Sequence, residues 1–311
     1  MGDTVVLNIH EINVFLTAAE TQNFSEAARQ LHMTQPAVSM QIQSLEQRLG
    51  VDLFERSGRR IQLSEAGETL MPMARELVSM SLRIEEAMKS LGGEVVGHLK
   101  IGCSTTAGKY ILPQLIARFR RMHPRVQVTV YNSGRDQVMD MLCDGMTHIS
   151  VISSLVSCRD AEFKPFFTDR AVVIAPIDHP WANRNTIKPQ ELREADFIIR
   201  DDTAGTRQVM MEGLLEHGVH LDDLNIVMEL GNAEAIEMAV EEGIGVSIVS
   251  RLVAQRGVDL GRIKMLEIEG LNLERKIYIA YNVRRAATSA QTEFWNFVHE
   301  PRNETLLKLA A

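Results

Sequence analysis

Three cysteines in 311 residues, Cys103, Cys143 and Cys158, form neither a CxxC pair nor an even set. That excludes a disulfide framework and suits a reducing compartment. Aromatic residues are scarce, 5% against 45% hydrophobic residues in all, the balance of an ordinary soluble chain. No apolar run approaches the roughly 18 residues of a membrane-spanning helix. No basic-then-apolar leader precedes the first helical segment, so no membrane is expected and the expected compartment is the cytoplasm. Catalytic signatures are missing too: there is no HExxH, GxSxG elbow, Walker loop or GxGxxG. The histidines from His98 onward are scattered without paired metal spacing. Neither an enzyme nor a metal or cofactor is therefore expected. Positive charge is also in deficit, with a formal net charge of −8. Any affinity for nucleic acid must then rest on a few well-placed cations and on copies binding together, not on bulk attraction.

What is present begins with residues 24 to 50, FSEAARQLHMTQPAVSMQIQSLEQRLG. Ala27, Ala28 and Leu31 give a first helix one small, apolar face, with Ser25 as its expected N-cap. Thr34 is placed to cap a second helix, and Pro36 in its first turn gives up an amide that has no intrahelical partner there. Val38, Ile42, Leu45 and Leu49 then repeat at helical spacing, while Ser39, Gln41, Gln43 and Ser44 lie off that stripe. Uncharged donors and acceptors on one helix suit the base edges of a major groove. The pattern is a helix-turn-helix with double-stranded DNA as its expected partner. LFERSGRRIQLSEAG (53–67) follows, a short β-hairpin wing with Arg56, Arg59 and Arg60 at its tip. Between residues 29 and 62, Arg29, Arg48 and these three face only Glu46, Asp52 and Glu55, a modest local excess of cations.

The run FLTAAETQNFSEAARQLHMTQPAVSMQIQSLEQRLGVDLFERSGRRIQLSEAG resembles the N-terminal domain of LysR-type transcriptional regulators. The AA-x-x-L helix, the T-Q-P-A-x-S turn, L-E-x-x-L-G, L-F-x-R and the closing S-x-x-G at Ser64–Gly67 all match that family's pattern. The resemblance implies base or phosphate contacts from Gln35, Pro36 and Ser39, and backbone or minor-groove contacts from the wing arginines. In one departure, Met40 stands where many members carry Arg or Lys. The DNA-contacting set expected here is Ser25, Gln35, Pro36, Ser39, Gln41, Gln43, Arg56, Arg59 and Arg60.

From residue 64 to 93, Leu70, Leu77, Ile84 and Leu91 recur every seven residues, with Ala66, Met73, Met80 and Ala87 at the alternate seam positions. That is a coiled-coil stripe, and with no partner helix nearby in sequence it reads as an intermolecular pair. Beyond residue 98, short β-rich runs alternate with helical segments, which implies an α/β fold with mainly parallel strands. The length suffices for two lobes, and this part resembles the LysR-type effector domain, a two-lobed fold shared with periplasmic solute-binding proteins. The expected layout is a winged helix-turn-helix domain at 1–63, a dimerisation helix at 64–93 and an effector domain at 94–311. Within the last, lobe I takes about 94–167 and 272–300, and lobe II about 168–271. Two crossovers form the hinge, and a ligand belongs in the cleft at the strand C-terminal ends.

Strand-to-helix loops carry the polar groups for such a ligand. Ser104, Thr105 and Thr106 follow the first strand, Asn132 and Ser133 the second, and Ser153 the third. Thr203, Gly205, Thr206 and Arg207 open a helix of the other lobe, where Asp201 and Asp202 are placed to neutralise Arg207, and Asn232 opens another helix. Hydroxyls and amides at helix N-termini favour a small anion. Gly243–Val246 reads as a tight turn into a buried strand. The expectation is a homodimeric or homotetrameric DNA-binding regulator whose cleft senses a small anionic metabolite and so changes promoter binding or bending. RNA polymerase is left open as a further partner. CSTTAGKYILPQL, DDTAGTR and GNAEAIEMAVEEGIGVSIVSR resemble most the family branch that governs carbon-fixation and sulfur-assimilation genes. A solute-binding transport component is the alternative for the C-terminal part, and the helix-turn-helix argues against it.

Overall fold

The computed structural model describes residues 6–57, 60–90, 93–104, 106–153, 155, 158 and 160–307. Its contacts fall into two units, one of residues 1–94 with 144–146, the other of 95–143 with 147–311.

The first unit opens with α1 (Ile9–Thr21), α2 (Phe24–Gln30) and α3 (Gln35–Leu49). Each start is fixed by a side-chain cap, from Asn8, Asn23 and Thr34 respectively. Asn23 accepts from the amides of Ser25 and Glu26, so the cap of α2 lies two residues before Ser25, which is itself the second residue of the helix and exposed. An asparagine in extended backbone fills that role as well as a serine. Gly50 ends α3 at φ +73°, where a side chain would be strained. Ile12, Phe15, Ala27, Ala28, Val38, Ile42, Leu45 and Leu53 form the core between these helices. Two strands, β1 (Phe54–Ser57) and β2 (Arg60–Leu63), then pair antiparallel with Phe54 opposite Leu63.

The long helix α4 (Glu65–Ser90) starts where the Ser64 hydroxyl accepts from the Gly67 amide. A Cβ at Gly67 would stand 2.2 Å from the Leu53 carbonyl oxygen, so only glycine lets this turn approach the strand. The heptad stripe divides along the helix. Leu70 and Ala74 are buried in the unit's own core, and Ala66 and Leu77 pack against it. Met73, Met80, Ile84 and Met88 are exposed. The expectation that the whole stripe faces another chain is thus corrected for its first half, which α1 covers. Leu91 lies outside the described residues.

The second unit is built on β3 (Gly97–Cys103), α5 (Thr106–Met122), β4 (Val126–Asn132), α6 (Arg135–Cys143) and β5 (Ile149–Ile152). After these come β6 (Ala161–Pro176), β7 (Thr186–Ile187), β8 (Asp196–Arg200), α7 (Gly205–Glu216), β9 (Asn225–Leu230), α8 (Ala233–Glu241), β10 (Val246–Ser250), α9 (Arg251–Asp259) and β11 (Ile263–Ile268). The chain closes with β12 (Glu274–Asn282), α10 (Ser289–Val298) and a short α11 (Glu304–Leu307). The strands run in the order β4-β3-β5-β12-β6-β10-β8-β9, with β11 also on β6. Neighbours are parallel at both ends of this path, while β6 pairs antiparallel with β12, β10 and β11. The long strand β6 is the device that joins the lobes: Ala161–Arg170 pairs with β12, and Ala171–Ile174 with β10.

Each lobe has its own core. Leu99, Ile101, Leu112, Leu115, Phe119 and Phe294 fill the first. In the second, Val173, Phe197, Met210, Leu214 and Leu266 lie on one sheet face, with Ile174, Ile198, Ile236, Val240 and Val253 on the other. A fully buried side chain of this kind stabilises by about 1.5–3 kcal/mol, and Phe166, Phe167, Ile277 and Ile279 of the crossover strands join the first of these cores. Cys103 is buried in the first core. Cys143 and Cys158 are joined as a disulfide with their Cα atoms 6.5 Å apart. Their spacing in sequence signals no framework, so the expectation of unpaired thiols is corrected by the way β5 returns the chain beside the end of α6. Among the described residues no helix is long and apolar enough to cross a membrane.

Candidate functional site

Two sites come out of this fold, one on each unit. In the first unit α3 turns Val38, Ile42 and Leu45 into the core, at 0%, 2% and 0% exposure. The opposite face carries Pro36, Met40, Gln43 and Gln47, all exposed and spaced one helical turn apart. Gln35 and Ser39 flank this face, and the Gln35 amide donates to the Ser39 hydroxyl at 2.9 Å. Gln41 is only half-buried, toward the other flank. Ser44 turns inward and donates to the buried carboxylate of Glu11 at 2.9 Å, which Arg48 also holds at 3.1 Å. Ser44 is thus a core contact, and the polar face first read on α3 is narrower by that residue. Neither Met40 nor Gln47 belongs to the DNA-contacting set expected from sequence, although both recur at helical spacing from Pro36.

The cations around α3 are mostly engaged. Arg29 pairs with Glu26 at 2.7 Å and Arg48 with Glu11. Glu46 is committed as well, accepting from the Leu53 and Phe54 amides at the root of the wing. Arg59 lies outside the described residues, as do the side chains of Arg56 and Arg60.

In the second unit a cavity of about 20 Å³ opens between the lobes, lined by Ser104, Arg135, Ser153, Arg200, Thr203, Ala204, Gly205, Thr206 and Arg275. Ser104 and Ser153 follow β3 and β5, and Arg135 begins α6; these come from the first lobe. Residues 200 to 206 run from the end of β8 into α7 in the second, and Arg275 lies on the crossover strand β12. Helix α7 has Ala204 as an N-cap without a side-chain hydrogen bond, and Ala204, Gly205 and Thr206 at its positive end line the cavity. The lobes meet tightly at Gly205, where a Cβ would stand 2.6 Å from the Ser153 hydroxyl and 3.0 Å from Nη1 of Arg275.

Three arginines give this cavity its character. Nη2 of Arg200 donates to Asp201 at 3.2 Å and to the Gly231 carbonyl at 3.3 Å. Its Nε is buried and meets no acceptor among the described residues. Arg275 donates from Nε to the fully buried Asp169 at 2.7 Å. Its Nη2 is equally near the same oxygen but lacks the alignment for a hydrogen bond. Arg135 stands 3.4 Å from Asp136. Burial works against the charged form of Asp201, but hydrogen bonds from Thr203 and Arg200 outweigh it and leave its pKa below the usual value. A buried N–H without a partner costs about 1–3 kcal/mol. Nε of Arg200 and Nη2 of Arg275, two residues that line the cavity, are thus buried donors without a hydrogen-bond partner.

The structure brings together Ser104, Ser153, Thr203, Gly205 and Thr206 of the residues expected from sequence. It places four others elsewhere. Arg207 turns away to the Arg200 carbonyl at 2.7 Å and to Glu229 at 3.1 Å. Its partner is therefore neither Asp201 nor Asp202, because Asp201 is taken by Arg200 and Thr203. Asn232 is spent on capping α8, accepting from the amides of Glu234 and Ala235. Asn132 is exposed at the end of β4, and Ser133 bonds Gln137. Thr105 and the side chain of Thr106 lie outside the described residues. Arg135, Arg200, Ala204 and Arg275 are the lining residues that the expected set lacks. Among the described residues no cluster of histidine, cysteine and acidic side chains could hold a metal ion. The expected turn at Gly243–Val246 is present, with Gly243 at φ +78° and Gly245 pressed on the Asp196 carbonyl.

Comparison with known proteins agrees with this division. Residues 9–68 match the family model for bacterial regulatory helix-turn-helix proteins of the lysR family, and residues 92–301 the LysR substrate binding domain. The chain is 30% identical over 291 residues to the transcriptional activator CmpR of Synechocystis, covering 93% of this chain and 94% of that protein. It is also 30% identical over 292 residues to the RuBisCO operon transcriptional regulator of Allochromatium vinosum, covering 94% and 95%. Among solved structures, CbnR complexed with its target DNA superposes with a TM-score of 0.68 at 21% identity, over 94% of this chain and 99% of that one. A full-length OxyR variant of Pseudomonas aeruginosa gives 0.70 at 23% identity, over 98% and 96%. The chain belongs to the LysR family and is a transcriptional regulator, not an enzyme.

Proposed function

We propose that this regulator responds to a small anion held between the two lobes, and that two or four copies acting together read promoter DNA through α3 and the wing. The single observation that carries the anion is the cavity itself, lined by Arg135, Arg200, Arg275 and Thr206 at the uncapped start of α7, with donors of Arg200 and Arg275 left without partners. At about 20 Å³ the cavity has room for little more than one water molecule. A metabolite larger than that enters only if the lobes part, so binding and lobe angle are linked through β6 and β12. DNA reading rests on the exposed polar face of α3, with Gln35, Pro36, Ser39 and Gln43 as base-reading or positioning residues and the wing arginines on the backbone. Pairing of copies rests on Met73, Met80, Ile84 and Met88, which α4 leaves exposed on one side.

Titration calorimetry of the full chain against sulfate, phosphate and small mono- and dicarboxylates tests the anion. Hydrogen bonds to charged groups are worth about 1.5–3 kcal/mol, so Arg200→Gln should weaken the best anion about tenfold or more. Thr206→Val should weaken it less. A tight cationic ligand, or anion binding indifferent to both changes, would refute the reading.

A further inference from the structure

The outward face of α3 carries two side chains that the proposed DNA reading does not use, Gln47 near its end and one apolar residue, Met40. Met40 is 67% exposed and sits at the centre of that face, one turn from Pro36 on one side and next to Gln43 on the other. It lies diametrically opposite the buried Val38, Ile42 and Leu45. A methionine held out in water on a helix whose apolar residues otherwise point inward gains nothing for the fold of its own unit.

Its surroundings narrow what it meets. From Gln35 to Leu45 the helix carries no charged residue at all. The nearest charges on α3, Glu46 and Arg48, are both tied to the unit's own core and wing. A face that lay along phosphates would need cations, whereas this one offers amide and hydroxyl groups around a single apolar tip. Such a face fits the floor of a groove. In the major groove the apolar feature on a base edge is the C5-methyl group of thymine, which the other three bases lack. Methionine, unbranched and polarisable, adapts its contact to a methyl without a fixed rotamer.

We infer that Met40 is a specificity-determining residue that reads thymine, through its 5-methyl group, in each half-site bound by α3. The inference rests on the proposal that α3 enters the major groove. Gln35, tied to Ser39 at 2.9 Å, and Gln43 address the hydrogen-bonding edges on either side, and Met40 supplies the discrimination that hydrogen bonds leave open.

The test uses duplexes enriched by the full-length chain from a randomised pool. Each thymine of the enriched sequence is replaced singly by deoxyuridine, which removes the methyl and leaves the pairing edges intact. Affinity is read by fluorescence anisotropy at fixed salt. In each half-site one replacement should weaken the wild-type chain about fourfold, the worth of one buried methyl. Met40→Ala should bind the thymine duplex about as weakly and show no thymine–uracil difference at that position. Met40→Leu, still apolar, should restore part of the difference, and circular dichroism should show the same helix content in all three. Equal thymine–uracil ratios in wild type and Met40→Ala would overturn the inference and leave the DNA reading intact. A pool that enriches no sequence would overturn the DNA reading and the inference with it.

Discussion

Removing either partner of the ion pair at the crossover strands should cost the α/β unit far more than removing both. Asp169 and Arg275 face each other across β6 and β12. Asp169 is fully buried and Arg275 8% exposed. The carboxylate takes the Nε hydrogen bond at 2.7 Å and a second from the Ser250 hydroxyl at 2.6 Å. Asp169→Asn leaves a largely buried arginine charge with its counter-charge gone, and Arg275→Met leaves a buried carboxylate supported by one hydroxyl. Breaking such a pair typically destabilises by about 3–5 kcal/mol, whereas replacing both members by neutral groups is often close to neutral. The double variant should therefore recover most of what either single variant loses, a coupling of several kcal/mol in a double-mutant cycle. Urea unfolding followed by tryptophan fluorescence is suited to this, because both tryptophans, Trp181 and Trp295, lie in the α/β unit. Single variants within about 1 kcal/mol of wild type, or a double variant that costs the sum of the two singles, would refute the argument. The double variant also separates stability from sensing. It should fold and yet bind the proposed anion weakly, since Arg275 lines the cavity.

Met80→Asp with Ile84→Asp should lower the mass of the full chain in sedimentation, because charges in an apolar seam are costly to desolvate, while helix content stays unchanged; Leu77 is left alone because it packs on its own unit's core. Burial, opposed by the hydrogen bond from the Gly257 amide at 2.9 Å, raises the pKa of Glu237. A raised folded-state pKa gives stability below the unfolded value that is lost as pH climbs through the folded one. Glu237→Gln should thus raise the melting temperature more at pH 8 than at pH 4, and an equal shift at both would count against a buried charge there.

Much of the fold is legible in the sequence because local rules fix it. Thr34, Pro36 and Gly50 bound α3 where propensity and capping put it, and the alternation after residue 98 recovers β3, β4, β5, β8, β9 and β10 with α5 to α8 between them. Where the reading falls short, the cause is long-range. The part of β6 that pairs with β12 carries Glu162, Lys164, Asp169 and Arg170, and β12 opens with Glu274, Arg275 and Lys276, which break the apolar pattern of a buried strand. They are strands because they pair with each other across more than a hundred residues. The heptad on α4 misleads for the opposite reason: a seven-residue repeat and a single buried helix face look alike over two turns, and only the position of α1 decides which half is covered.

The cleft shows the same division between local and long-range information. Hydroxyls and glycine ahead of a helix advertise themselves, so Ser104, Ser153, Thr203, Gly205 and Thr206 are found from spacing. Asn232 advertises itself identically and is only a cap, because a cap and a ligand loop use the same amides. The arginines advertise nothing. Arg200 ends a strand, Arg135 starts a helix and Arg275 is the second residue of a strand, beside Lys276, each an ordinary surface cation when read alone. Arg207, the one arginine with the expected loop around it, is turned outward by Glu229, a residue of β9 that the local sequence does not mention. What makes Arg200 and Arg275 a pair is that β6 and β12 cross between lobes and carry Asp169, which fixes Arg275 in place, while Asp201 and the Gly231 carbonyl fix Arg200. Both guanidinium groups are thus held by partners that use only part of their donor set. That partial satisfaction is a property of the assembled lobes, and it is the ground on which a small anion, with its several acceptors, is proposed for this cavity.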